Sequence, residues 1–316
     1  MDEKSTTDNL AGSYDLAIIG TGPAGYTASI YASRYTLSHI LVGAISGGQT
    51  SESHLIQNFP SYIEIPGPEL VKKFREHALS YSPDVLTDTI TSISGSSGAF
   101  TLKTISRKEI HAKSLLFATG MKRRKLGIEK EDEYLGKGLT YCATCDGFFF
   151  KDKTVAVVGG SDSANTASLY LADIASHVYQ IYRKDKLRGE PAWANKVAQH
   201  PNITVIYNTS VIDLKGEGTL ESVILDTEYN NSKKLETDGL FVEIGAIPDT
   251  TLSSPLGVRT TDTGYIMVNN TQATNVPGVW AAGDITTGSN NFHQILTASA
   301  EGAVAIENIY TTLIAA

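Results

Sequence analysis

The sequence is poor in cysteine, and this scarcity excludes one large class of proteins. Only two cysteines occur among 316 residues, whereas small secreted domains usually carry a framework of several disulfides. The two residues, Cys142 and Cys145, are also close together in the sequence. We therefore expect a protein of a reducing compartment, the cytoplasm, in which this pair has a chemical role.

Long apolar runs are missing as well. No stretch reaches the ~20 apolar residues that a membrane-spanning helix needs. The chain starts with Met1-Asp2-Glu3-Lys4, which is acidic and polar and lacks the basic flank and apolar run of a secretory signal. We expect neither an export signal nor a membrane partner.

Positive charge is in deficit. The 26 Lys and Arg residues are outnumbered by 34 Asp and Glu residues, which gives a net charge of −8. Such a balance argues against an unaided nucleic-acid surface. The chain is long enough for a sizeable core and for two domains of ~100–200 residues each.

The cysteine pair has the spacing C-x-x-C and is followed directly by Asp146. Two sulfurs at this spacing can close a small disulfide ring, and thiol chemistry needs an adjacent proton donor and acceptor. A zinc site is less favoured, because no second C-x-x-C and no suitably spaced His pair accompanies it. An incidental cysteine pair is the plainer alternative.

A first glycine turn follows the apolar run Tyr14 to Ile19 and precedes a stretch of helical composition up to Arg34. Strand, glycine turn and helix together predict a dinucleotide site, with phosphates at the helix N-terminus. The next strand ends on Gly43 instead of an acidic residue that would bind a ribose. The turn consists of Gly20, Thr21, Gly22, Pro23, Ala24 and Gly25.

A second turn of this type follows the run Thr154 to Val158, with Ser161 in place of the middle glycine. Cations stand at the end of the next strand, where NAD-selective sites place a carboxylate, and they suit the 2′-phosphate of NADP. A solvated charged loop is the alternative. The residues concerned are Gly159, Gly160, Ser161, Asp162, Ser163 and Ala164 in the turn, and Arg183, Lys184 and Arg188 after the strand.

The last segment contains a predicted strand that ends in Gly283-Asp284, followed by a polar loop, His293 and a C-terminal helix. Asp284 is placed to bind a ribityl or ribose hydroxyl, with a helix N-cap as the alternative. His293 is a candidate cofactor contact, although a lone histidine is more often a surface or core residue.

These motifs, taken in order, resemble low-molecular-weight thioredoxin reductases over nearly the whole chain. The cysteine box Cys-Ala-Thr-Cys-Asp-Gly is the most specific of them, whereas glycine turns alone occur in many flavoproteins. The other matching segments are Gly47-Gly48-Gln49, Ala118-Thr119-Gly120, Arg183 with Arg188, and Ala281-Ala282-Gly283-Asp284.

The resemblance implies an α/β fold with two Rossmann-like, three-layer ββα nucleotide-binding domains. It implies a discontinuous FAD domain, residues 1–122 and 252–316, and an inserted NADPH domain, residues 123–251, which carries the C-x-x-C. It also implies a homodimer that passes electrons from NADPH through FAD to the cysteine pair and on to thioredoxin or a thioredoxin-like protein.

Site residues are implied in the same way. Cys145 would receive electrons from the flavin, Cys142 would attack the partner disulfide, and Asp146 would move protons. Besides the first glycine turn, the FAD contacts would be Gly48, Gln49, Asn58, Thr119, Gly120, Gly283, Asp284, His293, Gln294 and Ile295. The NADPH contacts would be Gly160, Ser161, Asp162, Ser163, Ala164, Arg183, Lys184 and Arg188.

The chain departs from the family pattern at Ser161, Tyr182, Lys184 and His293, and in a longer loop from Ile285 to Asn291. These positions concern the electron donor and leave the dithiol untouched. A flavin-dependent reductase with another donor or a peroxiredoxin substrate, a dithiol oxidase, and a non-catalytic redox sensor are the alternatives. Asp146 disfavours the oxidase, in which a proton acceptor such as His is expected beside the second cysteine.

Overall fold

The computed structural model of the chain describes residues 12–315. The polar start, on which the prediction of no export signal rests, lies outside them. The chain divides into unit 1, which takes in the chain up to Lys122 and from Ile247 onward, and unit 2, which is Arg123–Ala246. The assignment of FAD and NADPH to separate domains stays a prediction.

The strands run in chain order as β1 (Ser13–Ile19), β2 (His39–Val42), β3 (Asp84–Leu86), β4 (Ile90–Ser96), β5 (Ala99–Thr104), β6 (Glu109–Phe117), β7 (Met121–Arg123), β8 (Leu139–Thr140), β9 (Thr154–Val158), β10 (His177–Ile181), β11 (Ile203–Ile206), β12 (Val211–Lys215), β13 (Ser222–Tyr229), β14 (Ser232–Glu236), β15 (Gly239–Val242), β16 (Ala246–Pro248) and β17 (Val279–Ala281). The helices are α1 (Pro23–Arg34), α2 (Gly67–Leu79), α3 (Glu131–Tyr134), α4 (Ala143–Asp146), α5 (Asp162–Ala172), α6 (Pro191–Gln199) and α7 (Ile295–Ile314).

Unit 1 is built on a mixed sheet of order β3-β2-β1-β6-β5-β4, with β17 also paired to β6. The strands β3, β2, β1, β6 and β17 are parallel, and β4 and β5 add an antiparallel meander. Alternate residues of β1 enter two different cores, Leu16 and Ile18 on one face and Ala17 and Ile19 on the other. This explains why β1 is almost continuously apolar, since parallel strands are covered on both faces.

The helices α1 and α7 share the core on one face of this sheet, where Ala28, Ile306 and Ile309 are buried. They pack closely at Gly302, where a Cβ atom would lie 2.4 Å from the carbonyl oxygen of Ala24. Within the described residues, no helix is both long and apolar enough to cross a membrane.

Unit 2 has a parallel sheet of order β11-β10-β9-β15-β8. Val155 and Val157 of β9 face a core formed with α5 and α6. Ala156 and Val158 face the other side, which is covered by the antiparallel sheet β12-β13-β14. This arrangement of two sheets and a helical layer confirms the predicted ββα class.

A buried histidine ties β2 to α1 in unit 1. The Nδ1 atom of His39 lies 3.0 Å from the carbonyl oxygen of Leu37, to which it donates, so the neutral ring accepts at Nε2 from the Ser29 hydroxyl, 3.0 Å away. Burial lowers the pKa of His39 from 6.5. As the pH falls below 6.5, the unfolded chain takes up a proton before the folded one, and stability is lost until the lowered pKa is reached.

We expect Ser29→Ala to destabilise the protein by ~1–3 kcal/mol, because it leaves a buried ring nitrogen without a donor. The free energy of unfolding in urea measures this loss. Ser33→Ala is the matched control, since Ser33 lies on the same helix and is half-buried. Equal stability of the two variants would show that the Ser29 hydroxyl contributes nothing.

Candidate functional site

The two cysteines form a disulfide in unit 2, with their Cα atoms 5.3 Å apart. Cys142 is extended and caps the single-turn helix α4, which contains Cys145. The turn is packed tightly onto α5, since a Cβ atom on Gly147 would lie 2.9 Å from Tyr170 and 3.0 Å from Leu171. The segment that carries the two cysteines is therefore packed directly against α5.

The two sulfurs differ in their surroundings. Cys145 is exposed and Cys142 is half-buried. The Sγ atom of Cys142 accepts from the backbone N–H of Cys145 at 3.2 Å and from the Thr144 hydroxyl at 3.5 Å. Hydrogen bonds to sulfur favour the thiolate over the thiol. In the disulfide, two hydrogen-bond donors thus face the sulfur of Cys142.

Asp146 is connected to this turn through Thr140, a buried residue that the sequence did not single out. The Thr140 hydroxyl donates to the carboxylate of Asp146 and accepts from the backbone N–H of Cys142 at 3.1 Å. Thr140 thereby holds the carboxylate beside the cysteine pair. The signal in the sequence was weak, because a threonine before a cysteine box is unremarkable.

Two exposed aromatic residues follow the cysteine box. Phe148 is 73% exposed and Phe149 is 71% exposed, whereas Phe150 is buried. The ring of Phe150 packs edge-on against Phe241, with centroids 5.2 Å apart. The run of three phenylalanines was visible in the sequence, but only the structure separates the buried ring from the two exposed ones.

The first glycine turn is shaped by close backbone contacts. A Cβ atom on Gly20 would lie 2.2 Å from the carbonyl oxygen of Ala118, and one on Gly25 would lie 1.9 Å from that of Gly20. Around Gly22, in contrast, the space is open. Helix α1 starts at Pro23 without a side-chain cap, so its first N–H groups remain available to a ligand.

Other FAD candidates lie around this turn in unit 1. Gln49 follows Gly48 and donates to the carbonyl oxygen of Met121 at 3.0 Å, and the Thr119 hydroxyl donates to that of Asp249 at 3.3 Å. Gly120 has a left-handed backbone and, like Gly48, open space beside it.

Asn58 and Gln294 are far apart in the sequence, but the structure joins them. The side-chain amide of Asn58 donates to Oε1 of Gln294 at 2.9 Å. Gln294 is also the N-cap of α7, which begins at Ile295. The pair brings the loop after β2 to the start of the C-terminal helix.

The Gly283-Asp284 segment follows the end of β17, and the buried carboxylate of Glu301 binds its backbone. Oε2 of Glu301 accepts from the backbone N–H of Gly283 at 2.8 Å and from the Thr286 hydroxyl at 3.0 Å. Burial and the nearby Glu301 raise the pKa of Asp284, while His293 opposes this shift. Glu301 was not predicted from the sequence, since none of its neighbours distinguishes it from a surface residue of a helix.

The helix N-cap alternative for Asp284 is wrong. Asp284 lies in a turn, and the next α-helix has Gln294 as its N-cap. His293 stacks on Tyr265 with ring centroids 5.0 Å apart, and its Nε2 atom is buried and has no hydrogen-bond partner within the described residues. An orphaned ring nitrogen of this kind suits contact with a ligand.

The second glycine turn repeats the first in unit 2. A Cβ atom on Gly159 would lie 2.2 Å from the carbonyl oxygen of Glu243, and one on Gly160 would collide with the ring of Tyr182. Ser161 has an extended backbone and does not cap α5 with its hydroxyl. The helix N-terminus formed by Asp162, Ser163 and Ala164 therefore has no side-chain cap.

Cations follow the strand next to this turn. Arg183, Lys184 and Arg188 are exposed, and so is Lys186, which the sequence reasoning did not include. No side chain among these four forms an ion pair with any residue in the range 12–315. Among the same described residues, no cluster of His, Cys, Asp and Glu has the arrangement of a metal site.

Comparisons with known proteins agree with this geometry. The family model described as pyridine nucleotide-disulphide oxidoreductase matches residues 14–302. Thioredoxin reductase of Mycoplasma pneumoniae is 35% identical over 95% of this chain and 95% of that protein. NADPH-dependent thioredoxin reductase 3 of Arabidopsis thaliana is 36% identical over 92% of this chain and 56% of that protein.

Solved structures give the same result. The crystal structure of Lactococcus lactis thioredoxin reductase superposes with a TM-score of 0.91 at 33% identity, covering 96% of this chain and 100% of that one. The chain belongs to the pyridine nucleotide-disulphide oxidoreductase family and, within it, to the low-molecular-weight thioredoxin reductases.

Proposed function

We propose that the protein is a thioredoxin-disulfide reductase that uses FAD and NADPH. The observation that carries the proposal is the accessible Cys142–Cys145 disulfide with Asp146 held beside it, in a chain with two nucleotide-type glycine turns. In the net reaction, NADPH and a proton reduce the disulfide of thioredoxin to two thiols and leave NADP⁺.

Unit 1 fits FAD. Open space at Gly22 and the uncapped start of α1 suit a pyrophosphate. Asp284 suits a ribityl hydroxyl, and the orphaned Nε2 of His293 offers one further polar contact. Gln49, Asn58 and Gln294 supply amide groups near the same segments.

Unit 2 fits NADPH. The uncapped N-terminus of α5 suits the pyrophosphate, and Ser161 adds a hydroxyl there. The exposed cations Arg183, Lys184 and Arg188 suit the 2′-phosphate, since charge-assisted hydrogen bonds to phosphate are strong. The Arabidopsis relative is named as NADPH-dependent, which supports the same donor.

Residues of the chain itself carry out the exchange between its dithiol and the substrate disulfide. When bound, NADPH supplies a hydride and FAD relays the electron pair to the disulfide. Cys142, as a thiolate, attacks one sulfur of the substrate disulfide and forms a mixed disulfide; Cys145 then attacks Cys142 and releases the reduced substrate. Asp146 gives a proton to the departing thiolate and later takes one back.

The surroundings of the dithiol support a protein substrate. Phe148 and Phe149 present two apolar rings next to the disulfide, and exposed aromatic residues are typical anchors of protein interfaces. A small disulfide substrate has no need of such a surface. Thioredoxin or a thioredoxin-like protein is the partner that the names of the relatives supply.

Location and assembly complete the proposal. We place the enzyme in the cytoplasm, where a dithiol substrate is kept reduced. We also propose a homodimer, which is supported by apolar residues that unit 1 leaves uncovered. Leu296 and Val304, two turns apart on α7, are exposed, and Phe292 is exposed just before the helix.

For the proposed function, a first prediction tests the roles of the two sulfurs. Cys145→Ser should accumulate a mixed disulfide with a thioredoxin through Cys142, because the resolving thiol is missing. Cys142→Ser should not. The trap is thioredoxin whose second cysteine is replaced and whose remaining thiol is activated as a mixed disulfide with 5-thio-2-nitrobenzoate. The thionitrobenzoate leaves when Cys142 attacks the thioredoxin sulfur, and mass spectrometry of the linked peptides identifies the enzyme sulfur.

Trapping through Cys145 would reverse the assignment, and trapping through neither would remove thioredoxin as the substrate. The donor is checked in the wild type by anaerobic titration of the flavin absorbance. Bleaching by dithionite but not by NADPH would leave the dithiol function intact and assign the reductant to another donor.

A second prediction concerns the exposed rings. We expect Phe148→Ala/Phe149→Ala to raise the KM for thioredoxin more than ~10-fold, since buried aromatic anchors dominate interface energies. Reduction of a small aromatic disulfide should stay within twofold of the wild type. Ile212→Ala is the control, because Ile212 is a 52% exposed apolar residue of the same unit. An equal loss with both substrates would mean that the rings support the dithiol turn instead.

A third prediction concerns Asp284. Its pKa is raised, so the charged carboxylate costs stability in the apoprotein near neutral pH. Asp284→Asn should therefore raise the Tm of the apoprotein and lower FAD affinity at least ~10-fold, because a hydrogen bond to a charged group is lost. Fluorescence quenching of added FAD measures the affinity, with exposed Asp262→Asn as the control. Unchanged FAD affinity would exclude Asp284 as a ligand.

A further inference from the structure

The loop that carries the cations of unit 2 is fastened to the second glycine turn and to α5. The backbone N–H of Arg188 donates to the carbonyl oxygen of Gly160 at 2.7 Å, and that of Glu190 donates to Oδ1 of Asp162 at 2.7 Å. The side-chain amide of Asn165 donates to the carbonyl oxygen of Arg188 at 3.3 Å. Three hydrogen bonds therefore fix the chain on both sides of Arg188.

A second amide sets the orientation of Asn165. Nε2 of Gln180, on β10, donates to Oδ1 of Asn165 at 3.0 Å and to the carbonyl oxygen of Gly159 at 3.2 Å. Since Oδ1 of Asn165 is occupied in this way, its amide nitrogen must face Arg188. Asn165 and Gln180 are both 0% exposed, so water does not compete for these bonds.

The loop passes close to the turn, and its backbone conformation at position 189 favours glycine. Gly189 has a φ of +101°, and a Cβ atom on it would lie 2.2 Å from Oδ1 of Asp162. The path of the loop is thus determined by a steric contact as well as by hydrogen bonds. We call the set formed by Asp162, Asn165, Gln180 and Gly189 the loop clasp.

The hydrogen bonds of the loop clasp leave one buried polar atom unpaired. Oε1 of Gln180 is buried and has no partner within the described residues, and an unpaired buried polar atom destabilises the folded state. An apolar pair at positions 165 and 180 would avoid this cost. The polar pair is explained if the placement of the loop, more than the stability of the core, is what matters.

We propose that Asn165 and Gln180 are positioning residues for recognition of the 2′-phosphate. They hold residues 188–190 against the second glycine turn, which keeps the backbone of Arg188 beside the start of α5 before the nucleotide binds. A loop that is already ordered loses less entropy on binding. The inference rests on the proposed use of NADPH.

A positioning role of Asn165 and Gln180 predicts a change in ligand affinity that a purely structural role does not. Loss of the hydrogen bonds made by Asn165 and Gln180 frees Arg188 and its neighbours but leaves the N–H groups of Asp162, Ser163 and Ala164 in place. Affinity for a nucleotide with a 2′-phosphate should therefore fall, while affinity for the same nucleotide without it should not. General destabilisation of unit 2 would weaken both ligands or neither.

Isothermal titration of the oxidised full-length enzyme with 2′,5′-ADP and with 5′-AMP tests this directly. In Asn165→Val, we expect the ratio of the two affinities to fall about tenfold, with 5′-AMP binding within twofold of the wild type. Thr166→Val is the matched control, since its hydroxyl bonds only to carbonyl oxygens of its own helix. It should bind both ligands like the wild type.

Gln180→Leu provides a second variant in case Asn165→Val does not fold. It should lower the same ratio and also speed amide exchange at residues 188–190, as seen by mass spectrometry without ligand. An unchanged ratio in a folded variant overturns the proposal. If the wild type itself fails to prefer 2′,5′-ADP, the proposed use of NADPH is wrong. Amide exchange at residues 188–190 in Gln180→Leu then tests by itself whether the loop clasp orders the loop.

Discussion

Both units depend on one close approach of backbone to backbone. The first glycine of each turn faces the carbonyl oxygen that follows the neighbouring strand, Ala118 for Gly20 and Glu243 for Gly159, and in each case a Cβ atom would lie 2.2 Å from that oxygen. This contact lets the chain leave the sheet and enter a helix at once. The helix then starts at the edge of the sheet without a side-chain cap, which is the arrangement that suits a phosphate group.

Features that depend on neighbouring residues could be predicted from the sequence. The strands β1 and β9 were predicted from short apolar runs, and the glycine turns from residues that directly follow them. The cysteine box was equally self-contained, because Thr140, Cys142 and Asp146 are bonded to one another within seven residues. Even there, the role of Thr140 became visible only with the geometry.

Features assembled from distant segments could not be predicted in this way. Glu301 supports the Gly283 turn from 18 residues away, and Asn58 reaches Gln294 across 236 residues. The resemblance to thioredoxin reductases named Asn58 and Gln294 as members of one site, but it did not indicate that they bond to each other. The N-cap alternative for Asp284 was wrong because a left-handed turn, with Ser289 and Asn290 at positive φ, intervenes before α7.

The departure from the family pattern at Ser161 has a simple physical explanation. Ser161 has φ −113° and ψ −172°, an extended conformation that any residue adopts without strain. A glycine is thus not required there by the backbone, whereas Gly159 faces a backbone oxygen at close range and Gly189 has a φ of +101°. If the loop clasp orders the cationic loop as proposed, donor recognition depends less on the turn sequence than on where that loop is held. Asn165, which lies outside the turn motif, contributes to that position.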